Sequence, residues 1–373
     1  MKTETRTAIL LLCAALTLGS CTKKTITPAE DPQPAEVGFT AASEAVWVKG
    51  ETDPKTTFPY TNFGVWGIAR HQHVASPYIL WASNQLTEVS APEGTLTNQE
   101  TSNVVFTPAT AAYWLGGYEY NFLAVAPYAD AGLTLSGITT KEDQSNATPA
   151  IQNPADYLTF TYDMSGKYTG IPANGSTPAV APDYDFDLLG AAAQSGPVAG
   201  GRTESQSLMF WHLFSKICIK VNFVGATGTV DQIRLSNVVT KGTYVISLDE
   251  VNDFDKPLSV TCTPSTDGDD MISSSSPLIL NSSNKDQGAT SSQWTLHVIP
   301  QVVSGFDMYL DFTIGESSVE NFKVNLSAVG TAPYTYNGSY TWTLNITPND
   351  ITFDVAIVPW GDDDAGDNDF DFE

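Results

Sequence analysis

Residues 340–358 read YTWTLNITPNDITFDVAIV, and this stretch decides the fold. Apolar side chains stand at every second position of residues 340–346 and again of residues 351–357, with Thr, Asn, Asp or Ala between them. A period of two is typical of strands that bury one face. Residues 347–350 are turn formers, so the stretch predicts a β-hairpin.

The same alternation recurs along the chain, and no segment keeps a helical period. It stands at residues 217–223 and 308–314, and in shorter form at residues 37–40, 63–68, 104–106, 118–126 and 157–162. Because each strand presents one apolar face, two sheets must pack face to face to bury both. The sequence therefore predicts an all-β fold, with irregular loops at residues 130–156 and 166–183.

The first residues have the pattern of an export signal. Lys2 and Arg6 precede an apolar run at residues 8–18 that is too short to span a bilayer. Leu18-Gly19-Ser20-Cys21 follows, which is the pattern of a bacterial lipobox. We therefore expect residues 1–20 to be a lipoprotein signal peptide and Cys21 to carry the lipid. The alternative is an ordinary signal peptide with an incidental cysteine.

Composition suggests how the rest is divided. Residues 21–36 are polar and proline-spaced, which predicts a tether. The length of the remaining chain suits two domains, and a small-residue run at 190–201 marks the boundary between them. We expect β-sandwiches at residues 37–195 and 196–360, followed by a disordered acidic tail at residues 361–373.

Charge and cysteine content exclude several classes of protein. The formal net charge is −25, which makes nucleic acid a poor partner. Beyond Cys21, the chain holds only Cys218 and Cys262. These two thiols either pair in an oxidising compartment or stay reduced, and the sequence leaves both alternatives open.

Groups that could support catalysis or bind metal are sparse. His71 and His73 share one face of a strand but lack further ligands, and Asp267, Asp269 and Asp270 form an acidic turn without the rest of a calcium loop. His212 is expected in a core, hydrogen-bonded to the backbone, and Trp294 and Trp342 are expected to pack in the core. No catalytic residue, metal site or cofactor is predicted, and the chain is not expected to be an enzyme; a β-sandwich hydrolase is the least favoured reading.

Several segments in order resemble the fimbrillins, the pilins of Bacteroidales. They are residues 62–66, 113–114, 118–127, 187–189, 208–217 and 351–361. The resemblance implies two tandem transthyretin-like Greek-key β-sandwiches. It also implies export as a lipoprotein, followed by proteolysis that frees an N-terminal strand. A segment of a neighbouring subunit then fills the opened groove, since an inserted strand satisfies both its apolar slot and its unpaired backbone.

The resemblance also implies roles for particular residues. The removable strand falls near residues 37–48, and the donor strand carries Ile351, Phe353, Val355 and Ile357. The alternative is that both remain at home as edge strands, as in a capping or anchoring subunit.

The family cuts after arginine, yet no arginine lies between Cys21 and Arg70, so Lys49, Lys55 and Arg70 are the candidate cleavage residues. Either a trypsin-like cut after lysine takes the place of the cut after arginine, or this subunit is not matured in that way.

The sequence thus predicts a structural or adhesive subunit of a surface fimbria, lipid-anchored in the outer membrane through Cys21. Its expected partners are other pilin subunits, the membrane, and a ligand on a host or bacterial surface. The alternative is a surface lipoprotein that binds glycans for nutrient uptake, where exposed Trp and Tyr side chains would stack on sugars.

Overall fold

The alternating segments fold as strands in the computed structural model. The structure describes residues 35–43, 58–60, 62–71, 73, 78–79, 85–89, 105–108, 111–128, 130–145, 155–170, 181–198, 202, 204–248, 258–286, 292–348 and 350–358. The predictions for the signal peptide, Cys21 and the acidic tail lie outside these residues.

The strands in chain order are β1 (Phe39–Ser43), β2 (Asn62–His71), β3 (Tyr78–Ile79), β4 (Gln85–Val89), β5 (Val105–Pro108), β6 (Tyr118–Ala126), β7 (Leu133–Thr139), β8 (Tyr157–Asp163), β9 (Leu189–Ser195), β10 (Gln206–His212), β11 (Ser215–Phe223), β12 (Gly228–Ser236), β13 (Lys241–Leu248), β14 (Leu258–Pro264), β15 (Leu278–Asn281), β16 (Ser292–Val298), β17 (Asp307–Ile314), β18 (Ser317–Lys323), β19 (Ser339–Ile346) and β20 (Ile351–Val358). The described helices are short: α1 (Lys141–Ser145), α2 (Ser165–Thr169) and 3-10 turns at Gly268–Asp270, Val303–Gly305 and Leu326–Val329.

Sheet A has eight strands in the order β3-β2-β4-β5-β1-β10-β9-β6, and a further β2–β6 pairing closes it into a ring. Alternate residues of these strands point inward, including Phe39, Phe63, Phe122 and Phe210, all fully buried. They form one of two hydrophobic cores. The ring therefore has its own apolar interior, as the alternation in the first half of the chain predicts.

Sheet B, in the order β14-β13-β8-β7, covers part of the outer face of sheet A. Trp66 and Leu123 point outward from the ring and belong to the same core as Phe160 and Tyr244 of sheet B. The Phe160 and Tyr244 rings stack with centroids 5.3 Å apart. Strands β2 and β6 are thus buried on both faces.

Sheets C (β16-β11-β19-β20) and D (β15-β12-β17-β18) form a sandwich. Strand β11 pairs in parallel with β19, a strand that lies far along the chain from it. Trp294 and Trp342 of sheet C belong to the same core as Leu310 and Phe312 of sheet D. The side chains between these two sheets make up much of the larger core.

The predicted all-β class is confirmed, and two details differ from the sequence predictions. The predicted loops are not all loop, because residues 130–156 contain β7 and α1 and residues 166–183 begin within α2. The sequence of β7 lacks the period-two pattern because the strand's register shifts between Leu135 and Gly137. Gly137 has a φ of +116° at this irregularity. Strand β11 is buried on both faces, since Lys216 and Cys218 on one face are buried as well as Ile217 and Ile219 on the other.

The domain boundary between residues 195 and 196 stays a prediction. Strand pairing crosses it at β9–β10, at β1–β10 and at β8–β13, so sheets A and B both take strands from either side of it. Within the described residues, no helix has the length and apolar character needed to cross a membrane.

Candidate functional site

Strand β1 lies inside sheet A, with a strand on each side. It pairs in parallel with β10, from Phe39 opposite Gln206 to Ser43 opposite Phe210, and antiparallel with β5. The preceding residues continue the contact, since the N–H of Val37 donates to the carbonyl of Ala112 at 2.8 Å. The alternative that describes this segment as an edge strand does not fit this pairing. The segment is an interior strand near the N-terminal end of the described chain.

The inward side chains of the β1 segment are Val37, Phe39 and Ala41, with exposed fractions of 0%, 0% and 3%. The Phe39 ring contacts Phe63 and Phe122 edge to face, at centroid distances of 6.2 and 5.1 Å. Burial of an apolar side chain of this size stabilises a fold by about 1.5–3 kcal/mol. The side chains of this short segment thus fill part of the hydrophobic core inside the ring.

The Phe39 pocket is continued by further aromatic rings. Phe58 lies 5.5 Å from Phe106 and 4.7 Å from Phe210, and Phe63 lies 5.2 Å from Phe210. These rings come from four separate parts of the chain, so the pocket does not depend on β1 for its walls. Removal of β1 would leave an aromatic slot flanked by the unpaired edges of β5 and β10.

Strand β20 is an edge strand, unlike β1, because it lies at the end of sheet C. Its described pairing is antiparallel to β19, in an unbroken register from Ile351 opposite Ile346 to Val358 opposite Ser339. Ile351, Phe353 and Val355 are only half-buried, and Ile357 is 79% exposed. The Phe353 ring packs edge to face on Trp342, with centroids 5.9 Å apart. The alternation predicted for this strand is present.

Two other edges of the molecule have features that hinder further pairing. The opposite edge of sheet C is covered, because the N–H of His297 donates to the carbonyl of Tyr184 at 2.8 Å. Strand β18 at the edge of sheet D is interrupted by a register shift and by Asn321 at φ +57°. Strand β20 has no bulge in its pairing with β19, and the described segment that lies against it is the short 3-10 turn Leu326–Val329.

Arg70 of β2 is one of the three candidate cleavage residues, and it lies in a closed network. Its guanidinium donates to both carboxylate oxygens of Glu142 at 2.7 Å and to both of Asp156 at 2.6 Å. Asp156 also accepts from the Asn121 amide at 2.8 Å and from the N–H of Lys141 at 2.9 Å. Burial alone would lower the pKa of Arg70, but these hydrogen bonds outweigh it and raise that pKa.

A protease requires an extended, accessible backbone, which loops supply and paired strands do not. Residue 70 is paired with Glu119 of β6, and its neighbour Ala69 is paired with Tyr78 of β3. Cleavage at Arg70 would therefore require β2 to separate from the sheet. Lys49 and Lys55 lie outside the described residues.

Buried polar groups between sheets A and C were largely missed by sequence reasoning. His212 is buried, as its place between Phe210 and Phe214 predicts, but the Asp187 carboxylate is the partner of its Nδ1. His297 is also buried, and its Nδ1 lies 3.0 Å from the carbonyl of Phe186. Alternation alone cannot find such partners, because Asp187 lies 25 residues away from His212 along the chain.

The acidic residues of the turn at residues 267–270 form hydrogen bonds with nearby residues. Asp267 caps a 3-10 turn by accepting from the N–H of Asp269, and Asp270 accepts from Ser265. No group of three or more His, Cys, Asp or Glu side chains in the described part of the chain is placed to hold a metal ion.

The two cysteines of the folded body are not joined in a disulfide. Burial raises the pKa of Cys262 to about 12, and the hydrogen bond from Tyr244 opposes this only in part. The Cys262 thiol is therefore unreactive at neutral pH.

Tryptophan placement bears on sugar binding. Trp294 and Trp342 lie in the core, as predicted, and Trp66, Trp114 and Trp211 are buried as well. The five tryptophans that the structure describes thus present no stacking platform, and the other three of the eight lie outside the described residues.

A sequence comparison with protein families matches residues 61–360 to the family described as fimbrillin-like. A search of curated proteins finds no match.

Three solved structures align with most of this chain. A fimbrial protein from Bacteroides vulgatus is 16% identical, with a TM-score of 0.47 over 87% of this chain and 99% of the other. A candidate cell adhesion protein from Bacteroides uniformis is 16% identical, with a TM-score of 0.45 over 87% and 98%. Another from Bacteroides ovatus is 14% identical, with a TM-score of 0.47 over 88% and 98%.

Proposed function

This chain belongs to the fimbrillin-like family, and on that basis we propose that it is a structural or adhesive subunit of a cell-surface fimbria. Assembly proceeds by strand exchange triggered by proteolysis. A cut downstream of β1 releases that strand, and a strand from a second subunit takes its place. Other pilin subunits are the partners of this reaction.

The position of β1 is the observation that carries the proposal. It is a five-residue strand inside a closed sheet, and its side chains fill an aromatic pocket whose walls come from elsewhere. Loss of β1 leaves a slot that is both apolar and lined by unpaired backbone groups. Such a slot binds an extended segment strongly, because the segment restores both kinds of interaction at once.

Strand β20 is the donor in this proposal. At home it is bonded along one edge only and its apolar side chains are half-buried. In the slot it would be paired along both edges and its inward side chains would be fully covered. Transfer exchanges the eight-residue pairing with β19 for pairing with β10 and β5, so the gain lies in apolar burial, which offsets the loss of the contact between Phe353 and Trp342.

The cut is assigned to Lys49 or Lys55. These are the two basic residues between β1 and Arg70, and cleavage at either one separates β1 from the rest of the body. Arg70 is less suitable, because it is held in β2 by Glu142 and Asp156. A trypsin-like activity at lysine would thus replace the family's cut after arginine.

The route to the surface is part of the proposal. Residues 1–20 direct export, Cys21 carries the lipid, and the outer membrane holds the anchored precursor at the cell surface. A cut at Lys49 or Lys55 would separate the folded body from that lipid. The subunit would act without a cofactor or a catalytic residue, and an adhesion ligand lies on a host or bacterial surface.

Limited proteolysis with a lysine-specific protease tests the proposal on the chain from residue 22 to residue 373. The cut protein should form ladders that resist heat and detergent in gel electrophoresis. A Lys49→Gln/Lys55→Gln variant should stay monomeric under the same treatment. The matched control, Lys23→Gln/Lys24→Gln, changes two lysines upstream of β1 and should form ladders like the parent.

Two results would count against strand exchange. One is a monomer from parent protein whose cleavage at residue 49 or 55 is verified by mass. The other is ladders that form equally well without any cut. Persistent monomers that also bind polysaccharide would instead favour the alternative of a glycan-binding lipoprotein.

A further inference from the structure

We infer that the donor strand enters in one register: Phe353 of one copy takes the place of Phe39 in the next, and β20 runs parallel to β10. Ile351, Val355 and Ile357 then take the places of Val37, Ala41 and Ser43. This inference rests on the proposed function and specifies the contact by which two copies of this chain recognise each other.

The aromatic pocket sets the register. The site of Phe39 is enclosed by rings and admits a flat aromatic side chain, whereas the sites of Val37 and Ala41 are occupied by smaller groups. Strand β20 contains a single aromatic residue, Phe353. A slip by two residues would put Phe353 into a site shaped for valine or alanine. It would also leave an aliphatic side chain among the rings, so one site would be overpacked and the other would contain a cavity.

The extent of β20 sets the direction. The β1–β10 pairing covers residues 39–43. In the parallel direction these five positions receive residues 353–357, all within β20. In the reverse direction, with Phe353 still in its pocket, the last two positions would receive Asn349 and Asp350 of the turn. The parallel direction alone fills the whole pairing with strand residues.

Ile357 provides an independent reason for this alignment. It is the most exposed large apolar side chain among the described residues, at 79%. The parallel register places it opposite Phe210, in the position that Ser43 occupies. An exposed isoleucine in a flat edge strand is a liability in a monomer, and a site that covers it on assembly explains its presence.

The outward positions of the donor allow a direct test. Thr40 is paired with Ser207, which is exposed, and in the inferred register residue 354 replaces Thr40. Cα atoms of neighbouring strands lie about 5 Å apart, within reach of a disulfide. An Asp354→Cys/Ser207→Cys variant of the chain from residue 22 should therefore form intermolecular disulfides when cut and oxidised.

Two variants serve as matched controls. Thr352→Cys/Ser207→Cys reports a slip by two residues or the reverse direction, and Ala356→Cys/Ser207→Cys reports a slip the other way. All these positions are exposed at home, so the fold should be unaffected, and unfolding temperatures verify this. Parent protein with Cys218 and Cys262 alone gives the background.

The outcomes separate the inference from the proposed function. Ladders with a link at Asp354→Cys, at least tenfold above both controls, support the register. Ladders with a stronger link at Thr352→Cys or Ala356→Cys overturn the register while strand exchange stands. No ladders at all from cut parent protein overturn both.

A second variant tests the pocket without an engineered bond. Phe353→Ala should make cut oligomers dissociate at least about 100-fold faster, because a fully buried phenylalanine is lost from the contact. Phe322→Ala, in the exposed edge strand β18, is the matched control and should leave the rate unchanged. Equal dissociation rates for the two variants would contradict the assignment of Phe353 to the pocket.

Discussion

Arg70 shows how one side chain connects distant parts of the chain. It joins β2 to the start of β8 through Asp156 and to α1 through Glu142, and the Asp156 side chain is 1% exposed. The charge pattern of the sequence could not show this, because the three residues are separated by long stretches. A position that the sequence suggests as a cleavage site is also part of the framework around the ring.

Arg70→Ala should destabilise the protein by about 3–5 kcal/mol, since it leaves the buried Asp156 carboxylate without its charged partner. Equilibrium unfolding in urea measures this change. Lys323→Ala is the control, because Lys323 is 59% exposed and pairs with Asp307 at the surface. The loss there should be much smaller, because water screens an exposed ion pair. Equal effects of the two changes would contradict the structural role given to Arg70.

His297 should make the stability depend on pH near neutrality. Burial lowers the pKa of its ring, Asp187 opposes this, and Lys216 and His212 also face it. The unfolded state then binds a proton at a higher pH than the folded state does, so stability falls as the pH drops below about 6.5.

Unfolding temperatures of the parent should therefore decrease from pH 7.5 to pH 5.5. His297→Gln keeps a hydrogen-bond donor for the carbonyl of Phe186 and should show a smaller decrease. His73→Gln changes an exposed ring and should behave like the parent. The same slope in all three proteins would show that His297 is not the group responsible.

At the scale of elements, the sequence predicts strands better than it predicts their neighbours. The alternation at residues 340–358 is enough to place β19, the turn and β20. It cannot show that β1 is an interior strand, because that depends on parallel pairing with β10, more than 160 positions away. Local patterns give the buried face of a strand, whereas its position in a sheet depends on contacts that lie far apart in the chain.

The exposed end of β20 provides a test at this scale. Ile357→Lys should leave the unfolding temperature of the uncut protein unchanged, because the side chain is 79% exposed at home. After cutting, the variant should not form ladders, since a lysine would be buried in the slot without a partner.

Asp354→Lys is the matched control in the same strand. Residue 354 is exposed and faces outward in the inferred register, so ladders should form as in the parent. If Ile357→Lys assembles as well as Asp354→Lys does, Ile357 is not buried on assembly.

For the whole molecule, family membership and the position of β1 both favour the proposed assembly by strand exchange. The body is complete only because a short N-terminal strand fills a slot in sheet A, and a regular strand at the C-terminal end of the described chain lies on an open edge. Sequence reasoning gave the all-β class and the two candidate strands. The aromatic lining of the slot emerged only from the structure, because its rings come from residues spread between Phe39 and Phe210.

The mass of assembled oligomers under native conditions tests strand exchange most directly. After cleavage at Lys49 or Lys55, each junction between two copies should have lost one N-terminal fragment containing β1. An oligomer of n copies should therefore retain at most one such fragment. Oligomers that retain a fragment for every copy would show that β1 never leaves its slot, and would contradict the account.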